Sequence, residues 1–193
     1  MLVIFVGRES KRVEKIRFRE VNSAAPSTPS YMKWDDTPIT LDQLDNPPHI
    51  THPGRHALIV DPLVETGNGN YRLRNVLMDG GSGINILYAS TLKSMNIPMS
   101  KLHKSYLEFH GIIPGKKAHS LGMITLNVVF GTPSNFRKEK ITFEVVDFPN
   151  AYQALLGRPT YAKFMAIPCY VYLKLKMPGP HGVITVSGDY KKG

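Results

Sequence analysis

The stretch NVLMDGGSGINILY, residues 75–88, places one carboxylate, Asp79, directly after three apolar residues. Glycines and a serine follow it, and then a second apolar run begins. An Asp-Gly pair usually marks a turn, so a turn aspartate is the default interpretation. Two features favour a further role. The apolar run predicts a position at the edge of a core, and the glycines let backbone N–H groups face the carboxylate and let another chain approach closely.

A single buried carboxylate does little chemistry, whereas two carboxylates that share one proton can act together as acid and base. Like charges about 3 Å apart cannot both ionise, so one pKa falls and the other rises. The ionised member can take a proton from water while the protonated member donates to a peptide carbonyl. This chain has one acid in such a setting, Asp79. If a pair exists, the second acid must come from another copy of the chain on a two-fold axis.

Composition predicts one domain with appendages, built mostly of β structure. The chain has 193 residues, of which 42% are hydrophobic, with 15 prolines and 16 glycines. So many turn formers favour short elements over long helices. The formal charge of +9 comes from scattered basic residues without interleaved aromatics, so nucleic-acid binding is not indicated.

The cysteine count and the apolar runs bear on compartment. One cysteine, Cys169, excludes an internal disulfide and a cysteine-rich metal site, and it indicates a reducing compartment. The run LVIFV at 2–6 is too short to span a membrane. We therefore expect a cytoplasmic, intracellular location without a membrane partner.

Along the chain, we expect residues 1–54 to be a largely disordered or extended linker, 55–190 to be the folded domain, and 191–193 to be a tail. About eight short strands and two short helices are predicted over 55–190. The strict alternation of YVYLKLKM, residues 170–177, predicts a half-buried strand. Strands and turns at this spacing favour a closed or nearly closed β structure.

Three motifs in order carry a resemblance to retropepsin-type aspartic proteases. VLMDGGSGINILY resembles the catalytic-aspartate loop, LEFHGIIPGKKAHSLG lies where the flap hairpin would lie, and ALLGRP resembles the second signature. More narrowly, nearly the whole chain resembles the protease region of plant gypsy-type retrotransposon Gag-Pol polyproteins, through REVNSAAP, PITLDQLDNPPHI, LLGRPTYAKFMAIP and YLKLKMPGPHGVITVSGDY in addition to the aspartate loop and flap.

The resemblance implies a mostly β fold: a retropepsin-like closed β-barrel, one lobe per chain, with one or two short helices. Asp79 would be the catalytic acid. The remaining implied site residues fall into the catalytic loop (Gly80, Gly81, Ser82), the substrate-binding flap (His110, Gly111, Ile112, Ile113, Pro114, Gly115) and the structural signature (Leu155, Leu156, Gly157, Arg158).

The implied activity is that of an aspartic endopeptidase acting as a homodimer, with one Asp79 per subunit activating water. No covalent intermediate, cofactor or metal is expected. The expected partners are a second copy of the chain and extended peptide segments of its own polyprotein, inside the cell and within virus-like particles.

One departure from the family keeps an alternative open. The family usually has Thr or Ser directly after the aspartate, where the hydroxyl braces the two loops across the dimer, and this chain has Gly80. The alternative is a catalytically inactive retropepsin-fold remnant that serves as a structural or interaction segment. A weaker third hypothesis is nucleic-acid binding by the basic N-terminal segment. The histidines of HITHPGRH at 49–56 are not expected to form a metal site.

Overall fold

A computed structural model describes residues 5–6, 38–47, 52–113 and 116–193, with only the backbone described for 5–6, 108–113 and 116–118. The described strands are β1 (Phe5–Val6), β2 (Ile59–Val60), β3 (Leu63–Thr66), β4 (Gly69–Arg72), β5 (Val76–Met78), β6 (Ile86–Tyr88), β7 (Glu108–Ile113), β8 (Lys116–His119), β9 (Gly122–Thr132), β10 (Asn135–Val146), β11 (Ala154–Leu156), β12 (Ile167–Cys169), β13 (Lys174–Gly179) and β14 (Gly182–Ser187). The described α-helices are α1 (Ala89–Ser94) and α2 (Arg158–Phe164), and 3-10 turns occur at Gln43–Asp45 and Met99–Lys101.

The main sheet has eight strands and curls back on itself. Its order is β2-β5-β11-β6-β10-β9-β3-β4. Only Asp61 and Pro62 separate β2 from β3, so the sheet returns to the chain segment on which it began. Within it, β5 pairs in parallel with β11, which pairs antiparallel with β6, which in turn pairs in parallel with β10. This curled, mostly β architecture with two short α-helices agrees with the predicted fold class.

The central strands are apolar on both faces because both faces are covered. On β6, Leu87 joins the large interior cluster while Ile86 and Tyr88 join a smaller cluster on the other face. On β11, Leu156 points to the large cluster and Leu155 to the smaller one. Strands β6 and β11 of the sheet that carries the Asp79 loop are therefore packed on both faces.

Two further sheets flank the main one. The hairpin of β7 and β8 forms a separate small sheet, to which β1 adds by pairing Phe5 with His110 and Val6 with Phe109. The third sheet has the order β12-β13-β14. No helix within the described residues is long and apolar enough to cross a membrane.

The strand count and one strand boundary differ from the sequence predictions. Thirteen described strands, β2 to β14, fall within 55–190 instead of about eight. Bends at Asp61-Pro62 and after Arg72 split two predicted strands, and the others are short additional strands such as β8, β11 and β12. The strand predicted for 170–177 begins only at Lys174. Leu173 has a φ of 49°, in the left-handed region, which ends the extended backbone there and leaves Tyr170 in a turn.

Segments outside the predicted domain also make contacts. Lys176 of β13 donates to the carbonyl oxygen of Thr40 and to Asp45 Oδ2, each over 2.7 Å. At the other end, Lys192 donates to the carbonyl oxygen of Arg74 over 2.7 Å. Most of 1–54, including the basic N-terminal segment, lies outside the described residues, so the linker and the nucleic-acid hypothesis remain predictions.

Candidate active site

Asp79 lies where β5 leaves the main sheet. Its amide nitrogen donates to the carbonyl oxygen of Leu156 over 2.9 Å. That bond continues the parallel pairing of Met78 with Leu156, so β5 and β11 end together at one edge of the sheet. Asp79 is partly buried there, directly after the fully buried Met78.

The loop folds back onto the carboxylate. The amide nitrogen of Gly81 donates to Asp79 Oδ1 over 2.9 Å, and that of Ser82 donates to the carbonyl oxygen of Asp79 over 3.2 Å. A Cβ on Gly81 would lie 3.1 Å from Oδ1, tighter than an ordinary contact. The glycine therefore lets the backbone N–H approach the carboxylate closely enough for a hydrogen bond.

Ser82 fastens the loop within its own chain. Its side chain is buried, and its Oγ donates to the carbonyl oxygen of Ile84 over 2.8 Å and accepts from the Ile84 amide over 3.3 Å. Its carbonyl oxygen accepts from the amide of Arg158 over 2.9 Å. Ser82 therefore connects the Asp79 loop to the start of α2, and its hydroxyl proton is used inside the loop.

The signature glycine, Gly157, is required by close packing. A Cβ at this position would lie 2.7 Å from the carbonyl oxygen of Ser82 and closer still to that of Ile84. Helix α2 begins directly after it, with Arg158 at the first helical position and its exposed guanidinium beside Gly83. The predicted loop and the predicted signature are thus in direct contact.

Asn85 joins the same region and was not singled out from the sequence. It is buried, and its Oδ1 accepts from the Gly157 amide over 2.9 Å and from Thr160 Oγ1 over 2.7 Å. Its Nδ2 donates to the carbonyl oxygen of Thr142 over 3.0 Å. One polar residue in the apolar run INIL is the signal that would have found it, because a buried amide needs partners.

Two tyrosines from outside the predicted motifs also reach the loop. Tyr170 Oη lies 3.4 Å from the Gly80 nitrogen, and Tyr161 Oη of α2 lies 3.5 Å from Tyr170 Oη. Burial, the contact with Tyr170 and the negative charge of Asp79 raise the pKa of Tyr161 above its ordinary value. The sequence predicted a strand over 170–177 and so gave no indication of this contact. In the structure, Tyr170 lies in the turn after β12 and contacts the loop from there.

The predicted flap falls on the β7–β8 hairpin. His110, Gly111, Ile112 and Ile113 lie within β7, which pairs antiparallel with β8 across an irregular register. Pro114 and Gly115 are outside the described residues. Backbone geometry at this place agrees with a hairpin, and the flap's role stays a prediction.

The part of the chain that the structure describes contains no group of three His, Cys, Asp or Glu side chains placed to hold a metal ion. His49 is outside the described residues. Cys169 is a free, partly buried thiol.

Comparison with known proteins adds to this geometry. No family model and no curated protein matches the chain. Among solved structures, it is similar to the retroviral protease-like domain of Ddi1 from Leishmania major, with a TM-score of 0.51 and 13% identity over 69% of this chain and 94% of that one. The fold is retropepsin-like.

A retropepsin-like aspartic protease from Rickettsia conorii also matches, with a TM-score of 0.37 and 18% identity over 66% of this chain and 79% of that one. At such identities the likeness concerns the fold. Within this retropepsin-like fold, Asp79 carries a partly buried carboxylate at the end of β5, and this carboxylate accepts a hydrogen bond from the Gly81 amide. A carboxylate so placed can accept a proton from water when a second carboxylate lies close to it.

Proposed function

We propose that this chain is the aspartic endopeptidase domain of a retrotransposon polyprotein of the plant gypsy type, acting as a homodimer. The observation that carries the proposal is the position of Asp79 in a retropepsin-like fold: at the end of β5, with Gly81 donating to its carboxylate over 2.9 Å. The chain has one such loop, so the proton-sharing pair needs Asp79 from each of two copies.

The mechanism rests on a shared proton. The ionised Asp79 takes a proton from a water molecule, which attacks the peptide carbonyl, while the protonated Asp79 of the second copy donates to the carbonyl oxygen. Substrate would bind as an extended strand through main-chain hydrogen bonds, and the β7–β8 hairpin would close over it. The natural substrates would be segments of the same polyprotein. Activity should be highest at mildly acidic pH, where the pair holds one proton.

Exposed apolar side chains in the segment 167–171, one of which contacts the loop, support pairing of two copies. Ile167, Tyr170 and Val171 are 40%, 37% and 51% exposed, and Tyr170 contacts the loop itself. Apolar side chains grouped on a surface are typical of an interaction site. A second copy of the chain would cover them while bringing its own Asp79 to the axis.

The test is incubation of the purified chain with an extended-peptide library between about pH 4 and 7, with a transition-state analogue of aspartic proteases as inhibitor. Asp79→Asn should abolish cleavage. Asp147→Asn is the matched control, because Asp147 also ends a strand but is exposed and belongs to no predicted motif. Cleavage that survives in Asp79→Asn would refute the assignment of the acid.

The second candidate function is that of an inactive scaffold, which Gly80 favours because it lacks the hydroxyl the family usually has there. Sedimentation separates the two. Dimerisation together with Asp79-dependent cleavage supports the enzyme, whereas a chain that stays monomeric at high concentration cannot assemble the pair.

A further inference from the structure

The peptide nitrogen next to Asp79 faces a phenol hydroxyl. Tyr170 Oη lies 3.4 Å from the Gly80 nitrogen. A Cβ built on Gly80 would lie 3.5 Å from the same oxygen, which is ordinary van der Waals contact. Gly80 is not among the glycines with positive φ, so its backbone does not require glycine. A Cβ at residue 80 would therefore fit next to the Tyr170 hydroxyl without a collision.

The hydroxyl of Tyr161 lies next to that of Tyr170. Tyr161 Oη lies 3.5 Å from Tyr170 Oη. Either hydroxyl can be the donor in this contact, because both phenols carry a proton at the mildly acidic pH of the proposed activity. A hydroxyl accepts two hydrogen bonds and donates one. Tyr170 can thus accept from the Gly80 N–H and from Tyr161, and still donate its own proton.

Both distances are at the long end for hydrogen bonds in this single chain. Hydrogen bonds of catalytic groups are often long in the free enzyme and shorten in the complex with substrate. Gly80 and Gly81 are exposed, and glycine loses more backbone freedom on ordering than any other residue. A contact at the Gly80 N–H restrains the same loop whose Gly81 N–H holds the Asp79 carboxylate.

We infer that Tyr170, backed by Tyr161, positions the Asp79 loop of its own chain through its hydroxyl, and that it supplies beside residue 80 a hydroxyl that Gly80 itself lacks. This inference rests on the proposed function for its catalytic consequence. Tyr170 acts through the loop and is therefore a positioning residue.

The kinetic test is Tyr170→Phe, which removes the hydroxyl and keeps the ring. We expect kcat to fall roughly three- to tenfold, the equivalent of one hydrogen bond, with KM changed less than about twofold. Tyr190→Phe is the matched control, because Tyr190 is similarly exposed, at 36%, and lies outside the proposed site. Equal kcat values for the two variants would overturn the inference.

A rescue variant distinguishes the hydroxyl from the ring. Gly80→Ser in the Tyr170→Phe background returns a hydroxyl to the vacated space, and we expect it to restore most of the lost kcat. A slow Tyr170→Phe enzyme that Gly80→Ser fails to improve would refute the replacement of one hydroxyl by the other.

A measurement without substrate separates this inference from the proposed function. In hydrogen exchange followed by NMR, the amides of Gly80 and Gly81 should exchange roughly three- to tenfold faster in Tyr170→Phe than in the wild type or Tyr190→Phe. Unchanged exchange overturns the contact. If no peptide is cleaved by the wild type, the proposed function fails, and the exchange data still decide whether Tyr170 restrains the loop.

Discussion

The side-chain oxygen of Asn85 accepts a hydrogen bond from the amide nitrogen of Gly157 over 2.9 Å. This bond joins the stretch after the Asp79 loop to Gly157, the residue directly before α2. Since Asn85 Oδ1 also accepts from the buried Thr160 hydroxyl, one amide satisfies two buried donors. The Asp79 loop and α2 are therefore coupled, and a substitution at their junction should alter the structure of both.

Asn85→Ala should cost about 2–4 kcal/mol of unfolding free energy, because it leaves buried donors and the Thr142 carbonyl without partners. Chemical denaturation measures the loss. Asn68→Ala is the control: Asn68 is exposed and donates to the carbonyl oxygen of Asn96 in a surface turn. If both variants lose the same stability, Asn85 is not the link between loop and helix.

Gly157→Ala should destabilise the protein by at least about 2 kcal/mol, because the new Cβ would collide with the carbonyl oxygens of Ser82 and Ile84. Since these atoms belong to the Asp79 loop, the peptidase activity proposed above should fall as well. Gly67→Ala is the matched control, because a Cβ there would meet no atom within 4 Å. Thermal unfolding of the two variants gives the comparison, and similar melting temperatures would contradict the packing argument.

Local signals predicted the position of Asp79 well. Three apolar residues, one acid and a glycine-rich turn are adjacent in the chain, so a strand that ends at a glycine-rich loop could be predicted from the sequence alone. Asn96 shows a similar local effect: its φ of 54° lies in the left-handed region shortly after α1 ends at Ser94. Features of this kind depend on neighbours in sequence.

The partners of Asn85 and Tyr170 could not be predicted because they are distant in the sequence. Asn85 matters through Gly157 and Thr142, which are 72 and 57 residues away. Tyr170 contacts Gly80, 90 residues away, from the turn before β13, and in that turn Leu173 adopts a left-handed backbone that leucine rarely adopts. The alternation of the apolar residues predicted a strand instead, and tertiary packing overrode it.

A further prediction concerns Arg137, which contacts the C-terminal end of α2. Its buried guanidinium donates to the carbonyl oxygens of Lys163 and Phe164 over 2.9 and 2.6 Å, which are among the last carbonyls of the helix. Arg137→Met should cost roughly 2–4 kcal/mol because these oxygens lose their donors. Arg72→Met, at an exposed arginine that donates to the Asp61 carbonyl, should change stability by less than about 0.5 kcal/mol. Urea denaturation of both variants tests the difference, and equal losses would count against it.

Because Tyr88 is buried, we expect the protein to lose stability at alkaline pH. Burial raises its pKa to about 12 from 10.0, an effect that the hydrogen bond from Asn150 only partly offsets. Between these values the unfolded chain releases the proton and the folded chain keeps it. Stability therefore falls as pH rises, with a slope approaching about 1.4 kcal/mol per pH unit from this group.

Guanidinium denaturation between about pH 8 and 11.5 tests the Tyr88 prediction. Tyr88→Phe should be less stable than the wild type at pH 8 because it loses a hydrogen bond, and the two curves should converge above pH 10, since the variant lacks the titrating group. Tyr190→Phe, at an exposed tyrosine, should run parallel to the wild type. Parallel curves for Tyr88→Phe would show that Tyr88 titrates alike in both states.

The last prediction concerns Asp45, which attaches the segment 38–47 to Lys176 of β13. The hydrogen bond from Lys176 lowers the pKa of Asp45 below its ordinary value. The attachment is therefore fully present above the unfolded pKa of 3.8 and is lost as the pH falls through the lower folded value. Asp45→Asn should raise hydrogen exchange of 38–47 at pH 7 at least about threefold.

The control for Asp45→Asn is Lys138→Met, which breaks an ion pair with Glu65 whose side chains are 46% and 28% exposed. Exposed pairs of this kind contribute little, so exchange in 38–47 should not change. Because Lys176 also donates to the Thr40 carbonyl, Lys176→Met should release the segment at least as much as Asp45→Asn. Unchanged protection in both Asp45→Asn and Lys176→Met would mean that other contacts hold the segment against the domain.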